Sequence, residues 1–163
     1  GFRPVTDWNL GLSASSGSYL TAKSPGLPSG TRWYEPTQDA VGCDLSWAHG
    51  PLEVWSELHW NRFEIPGPVG SVAMISYFIE SKWKFAPGWG LSGRWNQQLP
   101  EQITNPATRL STTWDNSVWR IESCVGWQLN RTASLKASYS FADQAGPISQ
   151  GRDLAAFQVI LGF

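Results

Sequence analysis

The chain has 163 residues, and its 12 Lys and Arg against 13 Asp and Glu leave a formal net charge of −1. That balance offers no electrostatic footprint for nucleic acid, and no stretch approaches the ~18 consecutive apolar residues of a membrane-spanning helix. Eleven Trp beside 16 Gly and 11 Pro suit either a carbohydrate-binding β-fold or a β-barrel with aromatic girdles.

Helical periodicity is weak throughout, whereas period-two runs recur and predict eight strands, at 7–16, 40–48, 52–63, 72–85, 89–98, 117–129, 132–141 and 153–163. Their lengths suit tilted strands that cross a bilayer and exceed the usual soluble strand. Successive side chains of a strand point to opposite faces, so each run can be sorted by parity. The first strand places Trp8, Leu10, Leu12 and Ala14 on one side, and the second Val41, Cys43, Leu45 and Trp47. The third offers Leu52, Val54, Leu58 and Trp60, and the fourth Ile75, Tyr77, Ile79, Trp83 and Phe85. Trp89, Leu91 and Trp95 follow, then Trp119, Ile121, Val125, Trp127 and Leu129, then Ala133, Leu135, Ala137, Tyr139 and Phe141. The last strand closes an unbroken apolar row: Ala155, Phe157, Val159, Leu161 and the terminal Phe163.

The aromatic residues of this row gather near strand ends. Trp8, Trp47, Trp83, Trp89, Trp127 and Phe163 fall at one end, and Trp60, Trp95, Trp119 and Tyr139 toward the other. An indole has an apolar body and a polar N–H, which favours the headgroup zone, so two belts are the expectation for membrane-interface aromatics. The competing reading is a soluble Trp-rich sandwich whose indoles fill a core.

The opposite parity is polar. It carries Asp44, Glu53, Glu57, Glu80 and Glu122 with Lys82, Lys84, Arg94, Arg120 and Lys136, together with His59 and many Ser and Asn residues. In a barrel these line the lumen. They either pair across strands and plug it or shape the field of a wet channel. Glu80 with Arg94, and Arg120 and Lys136 with Glu122, are the candidate neighbours. His59, between Glu57 and Asn61 on one face, is the only conceivable general base, with Ser46 or Ser76 as nucleophile. A solvated His is the plainer reading, and no enzymatic activity is expected. Trp55 shares the polar parity, where a sugar could stack on it, though packing is the plainer role. Cys43 and Cys124 fall on opposite faces, which argues against a bridge. No metal-ligand spacing, phosphate loop or cofactor motif is present.

Connections alternate in length. Tight turns form at His49-Gly50-Pro51, Ala86-Pro87-Gly88 and Asn130-Arg131, and longer links at 17–39, 64–71, 99–116 and 142–152. That alternation predicts an up-and-down antiparallel transmembrane β-barrel with short periplasmic turns and long outer loops. The chain opens on Gly1-Phe2-Arg3-Pro4 with no initiator Met or leader pattern, which reads as a mature product or a fragment. Residues 1–163 are expected to be a single β-barrel unit, either a whole small barrel or the C-terminal half of a larger porin. The many small side chains on the lumen parity favour the larger one.

The runs Trp8-Asn9-Leu10-Gly11-Leu12-Ser13, Gly93-Arg94-Trp95-Asn96, Val125-Gly126-Trp127-Gln128-Leu129 and Leu135-Lys136-Ala137-Ser138-Tyr139 resemble the C-terminal strands of Gram-negative outer-membrane porins. The similarity is broadly to the phosphate-selective type, and the ending on Phe163 resembles the C-terminal assembly signal of such barrels. The resemblance implies a location in the bacterial outer membrane and passive diffusion of small hydrophilic solutes, with no cofactor. It also implies contact with outer-membrane lipid and lipopolysaccharide, engagement of the barrel-assembly machinery through the last strand, and compatibility with a homo-oligomer. The family's basic constriction has no match in this sequence. A small structural or adhesive eight-stranded barrel without a pore, and the soluble sandwich, are the alternatives.

Overall fold

The computed structural model describes residues 7–21, 30–66, 70–104, 109–145 and 151–162. Phe163 therefore lies outside the described residues. The chain is all-β, with strands β1 (Trp8–Ser18), β2 (Thr37–His49), β3 (Leu52–Ile65), β4 (Gly70–Ala86), β5 (Trp89–Pro100), β6 (Gln102–Thr104), β7 (Ser111–Thr113), β8 (Val118–Gln128), β9 (Ala133–Gln144) and β10 (Arg152–Leu161). Eight of them form one antiparallel sheet in the order β1-β2-β3-β4-β5-β8-β9-β10, and β6 pairs with β7 in a separate ribbon. Every strand of the large sheet lies beside its sequence neighbour, the ribbon being inserted between β5 and β8.

All eight expected strands are present, and several run further toward the long-connection end. β4 starts at Gly70 and β9 continues to Gln144, so the links 64–71 and 142–152 are shorter than expected. The segment 99–116, expected as a polar loop, instead extends β5 to Pro100 and forms the β6–β7 ribbon. At the opposite end the turns are tight. Gly50 (φ 56°) precedes Pro51, and Gly88 (φ 77°) follows Pro87. Only glycine enters that region without a steric penalty, and proline supplies the fixed negative φ beside it. The third turn spans residues 129–132, where Asn130 Oδ1 accepts hydrogen bonds from the Thr132 amide (2.9 Å) and hydroxyl (3.1 Å). One irregularity breaks the ladder. The register shifts between Trp83 and Ala86, so Lys84 and Phe85 together oppose Gly90, a β-bulge.

The sheet has no second layer among the described residues. The chain exposes 11676 Å², against roughly 8,000 Å² for a folded soluble monomer of its 18.1 kDa mass. Val72, 2% exposed, and Pro36 are the only buried apolar side chains among the described residues. Leu12, Leu58, Ile79, Leu91, Ile121 and Phe157, on six different strands, are all exposed. No pairing joins β1 to β10 among the described residues, so both carry an open edge.

Candidate functional site

Register assigns the two faces residue by residue. On the apolar face, Trp8 lies opposite Trp47, Leu52 opposite Trp83, and Trp89 opposite Trp127. These rings touch along the short-turn rim. Trp8 and Trp47 have centroids 5.8 Å apart, Trp83 and Phe85 5.6 Å, and Trp89 stacks on Trp127 at 5.0 Å with 7° between planes. Further along the strands Trp95 stacks on Trp119 at 5.2 Å, and Trp119 meets Phe141 at 5.3 Å. Trp60 shares this face between Val41 and Ile75. The Tyr139 hydroxyl donates to Asp153 Oδ1 at 2.6 Å. Such pairs favour offset or tilted contact and leave the ring edges, with their N–H groups, free for polar neighbours.

The polar face holds a continuous ionic row. Trp55, Glu80, Arg94, Glu122 and Ser140 follow one another across β3, β4, β5, β8 and β9. Glu80 binds two cations at once, Lys82 at 3.0 Å and Arg94 at 3.5 Å. Each cation also covers an aromatic ring: Lys82 Nζ lies 4.3 Å from the Trp55 centroid, and Arg94 Cζ 3.9 Å from that of Phe78. The ring quadrupole and the Glu80 carboxylate thus hold the same two charges. The ammonium already occupies one face of the Trp55 ring, so packing describes Trp55 better than a ligand platform. Arg120 Nε meets Glu122 at 3.0 Å, and Lys84 meets Glu53 at 2.9 Å.

Lys136 stands apart from the expected trio with Arg120 and Glu122. Its cross-strand partners are Gly126 and Gln158, because the β8–β9 register places Glu122 opposite Ser140 and Arg120 opposite Ala142. Asp44 and Glu57 face each other directly, an unfavourable like-charge juxtaposition. It is relieved sideways: the Asp44 carboxylate lies over Gly11, and Glu57 Oε2 is 3.3 Å from His59 Nε2. Ser76 is the residue opposite His59, whereas Ser46 lies opposite Trp55 and away from the imidazole. No hydrogen bond joins His59 to Ser76 among the described residues, and His59 leans on Glu57 instead. Cys43 and Cys124 are free thiols on strands that are not neighbours.

A third group was not expected from sequence. At the long-connection end of the polar face, Phe63 lies opposite Val72. Tyr19 meets Phe63 edge-on at 5.4 Å, and Trp114 meets it at 6.3 Å. The Trp114 indole N–H donates to the Ala73 carbonyl at 2.8 Å, the Ala73 amide donates to Glu101 Oε2 at 3.1 Å, and the Tyr19 hydroxyl donates to the Glu64 carbonyl at 2.7 Å. The segments flanking the ribbon and following β1 are therefore strapped over the polar side of β3 and β4. Burial of the Tyr19 ring, reinforced by the Glu64 charge, raises its pKa above the ordinary phenol value. The sequence signal was the apolar residues on the polar parity of β3 and β4, Phe63, Val72, Met74 and Phe78 among them.

No protein-family model, curated protein or solved structure matches this chain.

Proposed function

We propose that this chain forms the wall of a transmembrane β-barrel in a bacterial outer membrane, as part of a porin that passes small hydrophilic solutes by diffusion. The observation that carries the reading is the unpartnered apolar face. Eight strands present aliphatic side chains on one face of the sheet between two aromatic groups, and no protein layer covers them among the described residues. Hydrocarbon is the partner whose chemistry fits so wide a surface. An open edge inside a membrane would leave backbone groups unpaired, so β1 and β10 must each gain a neighbour there, by joining each other or further strands. The porin-like strand runs and the alternation of tight turns with longer links support the same architecture. Lipid, lipopolysaccharide and the assembly machinery are the partners such a barrel meets, and the ionic row would face its lumen.

A second reading, a small barrel without a conducting path, is favoured by one feature. The polar face is closed off by its own pairs and by the Phe63–Val72–Trp114 group, as in a filled interior. Two measurements separate the readings. Heat-dependent electrophoretic mobility of the detergent-extracted protein tests the barrel, with identical migration before and after boiling counting against it. Planar-bilayer recording tests the pore: stepwise ion conductance is expected, and a folded barrel that never conducts favours the filled interior.

A further inference from the structure

Next to the ionic row, on its long-connection side, the polar face holds a cavity of about 370 Å³, within the ~300–1,000 Å³ range of small-molecule sites. Two register rows of the polar parity contribute to it, His59, Ser76, Gln98 and Val118 in one and Phe78, Asn96, Arg120 and Ala142 in the other, and Tyr77, Gln97 and Trp119 of the row between them complete the lining. We infer that this cavity is a subsite for a neutral polyhydroxylated solute, a saccharide. The inference rests on the porin reading for its access to solute, and it deepens that reading by naming a solute class.

Charge decides between classes. The charged groups around the cavity are Glu57, Glu80 and Glu122 with Lys82, Arg94 and Arg120, three of each sign, and His59 and Tyr77 are further titratable groups in its wall. Glu80 holds Lys82 and Arg94, Glu122 holds Arg120, and Glu57 lies against His59. An anionic solute would have to draw Lys82, Arg94 or Arg120 out of an existing ion pair, and a cationic one would have to displace His59 from Glu57, whereas a neutral one leaves these contacts intact. The unsatisfied groups are neutral hydrogen-bonding ones. Arg94 Nε donates to Asn96 Oδ1 at 2.8 Å, and a guanidinium can only donate, which fixes the amide orientation. Asn96 Nδ2 is thereby left buried without a partner, a costly state that an acceptor oxygen would relieve. The side chains of Ser76 and Gln98, on the neighbouring row, make no hydrogen bond to other described residues. Phe78, Val118, Ala142 and Trp119 supply apolar lining, which suits the C–H face of a sugar ring. Hydroxyls at the ring edge can both donate and accept, as the mixed amide, hydroxyl and imidazole lining requires.

The test uses the whole protein and separates the two claims. Titration calorimetry in detergent micelles with glucose, lactose, malate and lysine reads the subsite without any requirement for conductance. Saturable binding of glucose or lactose is expected, weakened about tenfold by Gln98→Ala and by Asn96→Ala. Binding of malate or lysine in preference to the sugars overturns the proposal, as does sugar binding that neither substitution changes or no sugar binding at all. Planar-bilayer recording of the same preparations then reads the pore itself. Conductance without sugar binding sinks the subsite alone, and sugar binding without conductance sinks the porin reading alone.

Discussion

Ile79 and Glu80 are adjacent in β4 and live under opposite rules. Ile79 is 52% exposed, with Ser56 and Trp95 as its cross-strand neighbours and no layer of protein over it among the described residues. Glu80 is only 19% exposed on the other side of the same strand, enclosed by two cations that are themselves seated on aromatic rings. Among the described residues the apolar face has contacts within the sheet and no cover, while the polar face is tied together by charge pairs and strapped at one end by Trp114. In a water-soluble protein the assignment is usually reversed, with the greasy face covered and the ionic face loosely solvated. The pairing of an uncovered apolar surface with a knitted polar one is what a sheet needs when hydrocarbon lies outside it.

The contrast breaks most sharply under a charge swap. Ile79→Arg, near the middle of β4, is expected to cost ~2–4 kcal/mol when the protein is folded in lipid. Ser138→Arg, on the polar parity of β9, should stay within about 1 kcal/mol of the parent on the same chemical-unfolding assay in liposomes. Equal effects at the two sites would mean that lipid does not contact the Ile79 face.

Removing the central carboxylate sharpens the picture of the other face. Glu80→Gln leaves Lys82 and Arg94 without their shared anion, so the reversal potential under a salt gradient should move toward anion preference. The stability change is expected to be small, ~0–1 kcal/mol, since both cations retain considerable contact with solvent and their rings. An unchanged reversal potential would place this row away from the ion path.

The smallest effect concerns the strap. The Tyr19 phenol, whose pKa is raised in the folded protein, contributes stability that is fully present below its ordinary value near 10. That contribution is lost as pH rises through the higher folded value. Proteolysis of the segment after β1 should therefore accelerate at high pH in the parent, and Tyr19→Phe should remove that pH dependence. Identical pH profiles for the two proteins would show that the phenol does not hold this segment.

Much of the architecture was readable because alternation along a strand is a local property. Leu52, Val54, Leu58 and Trp60 announce a face whatever the neighbouring strand does, and Gly50-Pro51 and Pro87-Gly88 announce turns through their own dihedral preferences. Pairing is not local. Lys136 belongs to the correct face by parity, yet register sets it beside Gly126 and Gln158 and away from Glu122. The ribbon of β6 and β7 has three-residue strands, too short for a period to declare itself. Trp114, in a polar segment, gives no hint on its own that it reaches the Ala73 carbonyl.

The amino-acid order by itself determined that this is a β-protein, where its eight main strands lie, and which side of each is greasy, because the side-chain period of an extended chain is two. Tertiary structure alone decided which charges meet, that Lys82 and Arg94 share Glu80, and that a cavity opens between His59 and Arg120. Those outcomes depend on the stagger of one strand against the next. A slide of two residues preserves every face and changes every partner.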